Sequence, residues 1–304
     1  MNVAYAKFLM DKISFPEEAK EFYNSHMERI IRDGNEAVID SIVDDYVREV
    51  NTSDVDDRLM KLLKSHGYSV YSTWILILLL GAEKVKSKYD ARGVSDEVFY
   101  DTFSDIRCKL IECMDVCGKW GTFVAGWYNL FFKCRIIKFG RLEYEDNVYD
   151  KDEPYRLGDL EIKKGDRMLG IHIPSSGEPF DLEARLKSYK MAYDFYTRES
   201  GKKYLVCDCG SWLLYPEYQS VFPEGGGAKD FYHDFDMLFS RDEDEFGDAW
   251  RVFGDVNGKN FEDYPENTRM RRAFKKHLLD GGANGYGVGM LVFDGERLLT
   301  RNEE

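Results

Sequence analysis

Apolar residues recur at three- and four-residue steps through the first part of the chain and at two-residue steps through much of the second, with the change near residue 136. Residues 17–134 are accordingly predicted as helices. In segment 35–50, Ile39, Ile42, Val43, Tyr46, Val47 and Val50 form the apolar stripe of one amphipathic helix. Residues 17–31 repeat the pattern with Ala19, Phe22, Tyr23, Ile30 and Ile31. Ser95 is a good N-cap, because its side-chain oxygen can accept an orphan backbone N–H, and Asp96 and Glu97 follow where the helix dipole favours anions. The helix it opens is expected to turn Phe99, Phe103, Ile106, Leu110, Met114 and Cys117 inward and to stop at Gly118. Residues 122–135 (TFVAGWYNLFFKCR) carry little polar face, which predicts burial against several neighbours.

Beyond residue 136 the period shortens. In IIKFGRLEYE, Leu142 and Tyr144 point one way and Arg141, Glu143 and Glu145 the other. Residues 161–174 (EIKKGDRMLGIHIP) read as a strand, a Lys-Gly-Asp turn and a second strand with Leu169, Ile171 and Ile173 on one face. Asp181 opens a clear helix, YLVCDCGSWLL is a strand, and Pro216 begins a short helical segment. FYHDFDMLFS alternates, WRVFG reads as a short strand, residues 267–282 as a helix closed by a Gly pair, and YGVGMLVFDGERLL as a last strand or hairpin. Strands interleaved with helices predict an α/β (α+β) chain: an all-helical N-terminal domain over residues 1–135, then a mixed-sheet domain over 136–304.

Charge and cysteine usage narrow the partners. The 304 residues carry 42 Lys plus Arg against 56 Asp plus Glu, a net charge of −14. Such a field repels phosphate backbones and anionic lipid surfaces, so neither nucleic acid nor membrane is expected, whereas a small cationic acceptor is tolerated. The oligomeric state is not specified. The most apolar run, Trp74–Leu80, is seven residues long, far short of the roughly 20 a membrane helix needs. Six cysteines do not make a disulfide framework, and MNVAYAKFLMDKISF lacks a secretory pattern. A reduced, cytoplasmic location is expected.

Several residue clusters invite chemistry. Cys207 and Cys209 share one face of a strand, but no second Cys/His pair stands at zinc spacing, so a buried inert pair is the plainer reading and no metal site is expected. Ser211 and Cys209 lie at a strand end, where α/β proteins place active groups, yet CGSWL lacks the two glycines of a nucleophile elbow. The run Gly281–Gly289 leaves a helix C-terminus, the wrong dipole end for a phosphate, and reads as a cap plus a tight turn. His172 reads first as a satisfied core histidine. Glu143 accepts a proton from an attacking amine if its face lines a cleft, and is an exposed ion-pair member beside Arg141 if that face meets solvent.

The stretches Phe139–Glu145, Ile171–Gly177, Cys209–Leu214, Arg251–Gly254 and His277–Gly282 resemble successive motifs of a bacterial family of acyltransferase-domain proteins. Tyr89–Val94, Asp101, Thr102, Asp105 and Trp127 extend the likeness, which spans about residues 70–294 in order. In that family a helical N-acyltransferase N-terminal domain joins a GNAT-like C-terminal domain. The resemblance implies a soluble acyltransferase moving an acyl group from acyl-coenzyme A to an amine or similar small nucleophile, without a metal. It implies that MLGIHIP and YLVCDCGSWLL are the two central strands that diverge around the cofactor. On that mapping His172, Ser175, Ser176, Gly177 and Arg185 hold the cofactor; Arg141, Cys209 and Trp212 border the substrate; Glu143 is the base and Ser211 the acid. The loop reads Ser-Ser-Gly-Glu-Pro-Phe, with one glycine and a proline that has no N–H. Two rivals stand beside this: a GNAT-shaped module binding a metabolite or partner protein without catalysis, and a hydrolase using Cys209 or Ser211 with His172 or His233.

Overall fold

The computed structural model describes residues 1–48 and 52–302. They form two compact units, the first comprising 1–138 with 174–176, the second 139–173 with the chain from 177 onward.

The first unit contains α1 (Val3–Lys12), α2 (Glu17–Arg32), α3 (Glu36–Val47), α4 (Thr52–His66), α5 (Val70–Ala91), α6 (Asp96–Phe103), α7 (Asp105–Cys117) and α8 (Asn129–Phe132). The stripe read between residues 35 and 50 is α3, which buries Ile39, Ile42, Val43, Tyr46 and Val47; Val50 lies outside the described residues. Helix α5 is the core element. Ser69 caps it by accepting the Ser72 N–H, and its WILILLL run is buried from Ile75 to Leu80 against α1, α3 and α7. The run is apolar because the helix is surrounded by protein. No helix among the described residues is long and apolar enough to cross a membrane. Gly81 is where α5 admits a close neighbour: a Cβ there would lie 2.5 Å from the Phe132 ring.

Two predicted helices end differently. The one opened by Ser95 is interrupted at Ser104, whose Oγ donates to the Asp101 carbonyl at 2.6 Å and competes with the helix ladder, dividing it into α6 and α7. Segment 122–135 forms only a 3₁₀ turn (Ala125–Tyr128) and the single-turn α8. Side chains of α5 and its C-terminal cap take the carbonyls a longer helix would have paired: Tyr89 Oη donates to Phe131, Lys88 Nζ to Phe132 and Arg92 to Cys134, at 3.0, 2.9 and 2.6 Å.

The chain then runs through β1 (Ile136–Phe139), β2 (Leu142–Val148), β3 (Tyr155–Leu157), β4 (Leu160–Ile162), β5 (Arg167–His172), α9 (Leu182–Ser200), β6 (Leu205–Ser211), α10 (Gly227–Tyr232), β7 (Asp236–Glu243), α11 (Ala249–Phe253), α12 (Arg269–Leu279) and β8 (Asn284–Phe293). The stretch read as one strand at 136–145 is broken by Gly140, whose φ of +60° suits glycine, so β2 starts only at Leu142. Within the second unit the sheet order is β2-β5-β6-β8-β7, with β5 and β6 parallel and the other pairs antiparallel: the mixed sheet expected. Helix α9, opened as predicted by Asp181, covers one face, where Tyr144 Oη meets Ser188 Oγ at 2.9 Å. The β3–β4 hairpin packs on the other, with Tyr155 and Ile162 against Met168, Val206, Met290 and Val292.

Two strand readings and one turn reading are corrected. WRVFG is helical (α11), because Ala249, Val252 and Phe253 bury at helical spacing; a run this short does not betray its period. FYHDFDMLFS divides into the end of α10 and the start of β7. Of the glycine run, Gly281 caps α12 at φ +73°, but residues 284–289 belong to β8. There Gly287 admits the Leu214 carbonyl, whose oxygen lies 2.0 Å from where a Cβ would sit.

Candidate active site

Parallel strands β5 and β6 pair only at Leu169–Cys207 and Gly170–Asp208. Beyond that point β5 stays on β2 as far as the His172–Glu143 pair, and β6 stays on β8 as far as Ser211–Gly287. Each strand keeps its outer neighbour past the point where their mutual pairing ends, so the ladder between them stops short of their C-terminal ends. The middle of the sheet is a fork with its crotch at Gly170 and Asp208.

Side-chain alternation and register set the chemistry of the fork's two faces. On the α9 face lie Tyr144, Leu169, Ile171, Cys207 and Cys209, all buried. On the opposite face lie Glu143, Glu145 and Asn147 of β2, Gly170 and His172 of β5, and Asp208 of β6. His172 Nε2 is 3.0 Å from Glu145 Oε2, and Asn147 Nδ2 donates to Asp208 Oδ1 at 3.4 Å. Burial pushes the Asp208 carboxyl up to about 6, against the hydrogen bond from Asn147 and the charges of Lys151 and His172. Glu143 is 1% exposed, which disposes of the surface ion-pair reading.

The residues singled out from sequence fare unevenly. Glu143 and His172 are brought together as direct cross-strand partners. Arg141 places its guanidinium 4.9 Å from the centre of the Phe180 ring, in the β5–α9 loop that also holds Ser175, Ser176 and Gly177. Ser175 and Gly177 are exposed and Ser176 half-buried, with Gly177 at φ +77°. Trp212 follows the end of β6 and packs edge-on against Tyr218 and Phe274, with ring centres 6.2 and 5.6 Å away. Ser211 does not join the Glu143 face; its Oγ accepts the Leu213 N–H at 3.1 Å and caps a 3₁₀ turn.

Arg185 is corrected outright. It is 0% exposed, and its N–H groups go to Asp234, Asp230 and the Phe180 and Gly227 carbonyls, so none is turned toward an outer phosphate. Cys209 is likewise removed from any substrate wall. It lies buried on the α9 face, away from His172, and burial pushes its thiol and that of Cys207 far above the usual range. That denies the hydrolase reading its thiol nucleophile. In native protein a thiol reagent is expected to leave Cys207 and Cys209 unmodified and to reach half-buried Cys117 first; peptide mapping that finds early modification of Cys209 would contradict this. Among the described residues no group of three or more His, Cys, Asp or Glu could hold a metal ion.

Sequence reasoning passed over Asp208, Asn147 and Gly170. One signal was present: an acid in the middle of an apolar strand.

Residues 5–134 match the model of the N-acyltransferase N-terminal domain, and residues 136–291 that of the GNAT-like C-terminal domain. Similar solved structures include an acyltransferase in complex with decanoyl-CoA and teicoplanin, with a TM-score of 0.73 at 21% identity over 94% of this chain and 86% of that one. An acyltransferase in complex with decanoyl-CoA alone gives 0.74 at 19% identity over the same shares. A search of curated protein sequences returned no significant match.

Proposed function

Because the chain belongs to the family that carries the GNAT-like C-terminal domain, here behind an N-acyltransferase N-terminal domain, we propose that it transfers an acyl group from acyl-coenzyme A to a small amine. The observation that carries this reading is the parting of β5 and β6 after Gly170–Asp208. Beyond the crotch neither strand has the other as its ladder partner, so the gap suits a pantetheine arm that bonds to strand edges. The similar acyltransferases were solved with decanoyl-CoA, a ligand of that shape.

The residues divide the work as follows. Ser175, Ser176 and Gly177 are the residues offered to the pyrophosphate, and Arg185 is not among them. Trp212 borders the acyl chain. His172 and Glu145 form the base: with Nε2–H donated to Glu145, the lone pair on Nδ1 accepts a proton, and buried Glu143 across the ladder stabilises the imidazolium. Fixing both reactants in the fork supplies most of the rate by proximity. A reduced, cytoplasmic setting suits both the free thiols and a coenzyme A thioester.

A thermal-shift titration tests the reading. A ligand at a hundred times its dissociation constant stabilises the fold by about 2.7 kcal/mol, so decanoyl-CoA raises the unfolding midpoint measurably. No shift at millimolar concentrations would overturn acyl transfer in favour of the non-catalytic binding module.

A further inference from the structure

After β8 the chain turns back and ties its last described residues into the second unit. The Leu299 N–H donates to the Val292 carbonyl at 2.8 Å, and the Asn302 N–H to the His233 carbonyl at 3.1 Å. Thr300 Oγ1 accepts the Val292 N–H at 3.2 Å and donates to the Asp234 carbonyl at 2.8 Å. Between these anchors Arg301 reaches two carboxylates, with Nη1 on Asp234 and Nη2 on Asp230 Oδ1 at 2.6 Å. The same two carboxylates hold Arg185: its Nε donates to Asp234 Oδ2 at 2.7 Å and its Nη2 to Asp230. Arg185 Nη1 in turn donates to the Phe180 carbonyl at 2.9 Å, at the end of the β5–α9 loop. The Phe180 ring lies 5.0 Å from that of Phe231 in α10 and 4.9 Å from the Arg141 guanidinium. A Cβ on Gly227, the first residue of α10, would stand 2.1 Å from the Phe180 carbonyl oxygen, so glycine there lets the helix press directly on the loop backbone.

We infer that Arg301 is a positioning residue for acyl-coenzyme A: it fixes Asp230 and Asp234, and through Arg185 the Phe180 end of the β5–α9 loop, in the form that receives the cofactor. The inference rests on the acyl-transfer reading and deepens it. Two carboxylates facing a single guanidinium repel each other, and Arg301 supplies the second cation that balances them. Without it Asp230, on α10, competes with Asp234 for Arg185, and the grip on the Phe180 carbonyl loosens. A loop already held in its receiving form is not ordered at the expense of binding. A released loop receives the ligand only for the fraction of time it spends in that form, and the apparent affinity falls by that fraction. Chemistry after binding does not involve Arg301, so turnover at saturation is spared.

Isothermal titration with decanoyl-CoA tests this, on Arg301→Gln and Phe180→Leu singly and together, at a temperature where circular dichroism shows each protein folded. Arg301→Gln is expected to raise Kd about 5- to 150-fold, the span of an ordinary coupling between two sites, with kcat at saturating decanoyl-CoA within about twofold of the wild type. Arg301→Lys keeps the charge without the two-pronged geometry and is expected to recover part of the affinity. Because Arg301 acts through Phe180, adding Arg301→Gln to Phe180→Leu is expected to raise Kd little further. A merely structural Arg301 would lower the unfolding midpoint and leave Kd of the folded protein unchanged. Wild-type Kd in Arg301→Gln, or fully additive losses in the double variant, overturns the inference and leaves acyl transfer standing. If Arg301→Gln does not fold, Arg301→Lys is read in its place, and wild-type Kd there overturns the inference equally. Failure of the wild type to bind decanoyl-CoA overturns the acyl-transfer reading itself, and this assignment with it.

Discussion

Replacing Arg185 by methionine lowers the thermal midpoint of the protein by roughly 6–20 °C, the equivalent of about 3–5 kcal/mol lost from a unit of this size. Both partners of the central ion pair are fully buried: Arg185 Nε donates to Asp234 Oδ2 at 2.7 Å, and each residue is 0% exposed. Tyr189 Oη donates to the same carboxylate at 2.8 Å, and Arg301 closes the network from the chain's last described residues. Removing the guanidinium strands an interior charge that Tyr189 and Arg301 only partly compensate. It also orphans the Phe180 carbonyl, and with it the loop assigned to the cofactor. Differential scanning calorimetry measures the effect, and Arg185→Met combined with Asp234→Leu is expected to recover part of the loss. A midpoint within about 2 °C of the wild type would show the network to be dispensable. Acid weakens the same network. Against the upward push of burial, Arg301 and Arg185 hold Asp230 below the ordinary carboxylate range, so its contribution is complete above 3.8 and fades as pH falls through its folded value.

Replacing His172 by glutamine reduces kcat by about 10²–10⁴-fold, the usual worth of a positioned general base, while stabilisation by decanoyl-CoA is retained. The residue ends β5, faces Glu143 across the ladder and bonds Glu145, so glutamine keeps much of the packing and loses the imidazole. Glu145→Gln is expected to lose less, because it removes the orienting carboxylate and leaves the imidazole. Steady-state kinetics with a primary amine decides. Turnover within about twofold of the wild type for His172→Gln would take the imidazole out of the mechanism, and equal losses in Glu143→Gln and Glu145→Gln would shift the base to the carboxylates.

Local residue patterns are enough for the helical first part, the mixed second part and the strongest helix boundaries, because these follow from short-range physics. A helix's face repeats in 3.6 residues, and Ser95 and Asp181 accept N–H groups only three residues away. Alternation also foretold that Tyr144 and Glu143 face opposite ways. Short apolar pieces such as WRVFG escaped it, since five residues fit either period.

What tertiary structure alone decided was the company each residue keeps. Arg185 sits one turn into a helix after the β5–α9 loop, where a sequence offers it to a phosphate; Asp230 and Asp234, more than 40 positions later, claim it instead. The register sets Asp208 opposite Gly170 and brings Asn147 near it, which nothing in the local pattern shows. Cross-strand pairing joins residues dozens of positions apart and is set by the packing of the whole sheet, which no local pattern encodes. The fork has the same origin: β5 follows β2 and β6 follows β8, and only the assembled sheet shows where they separate.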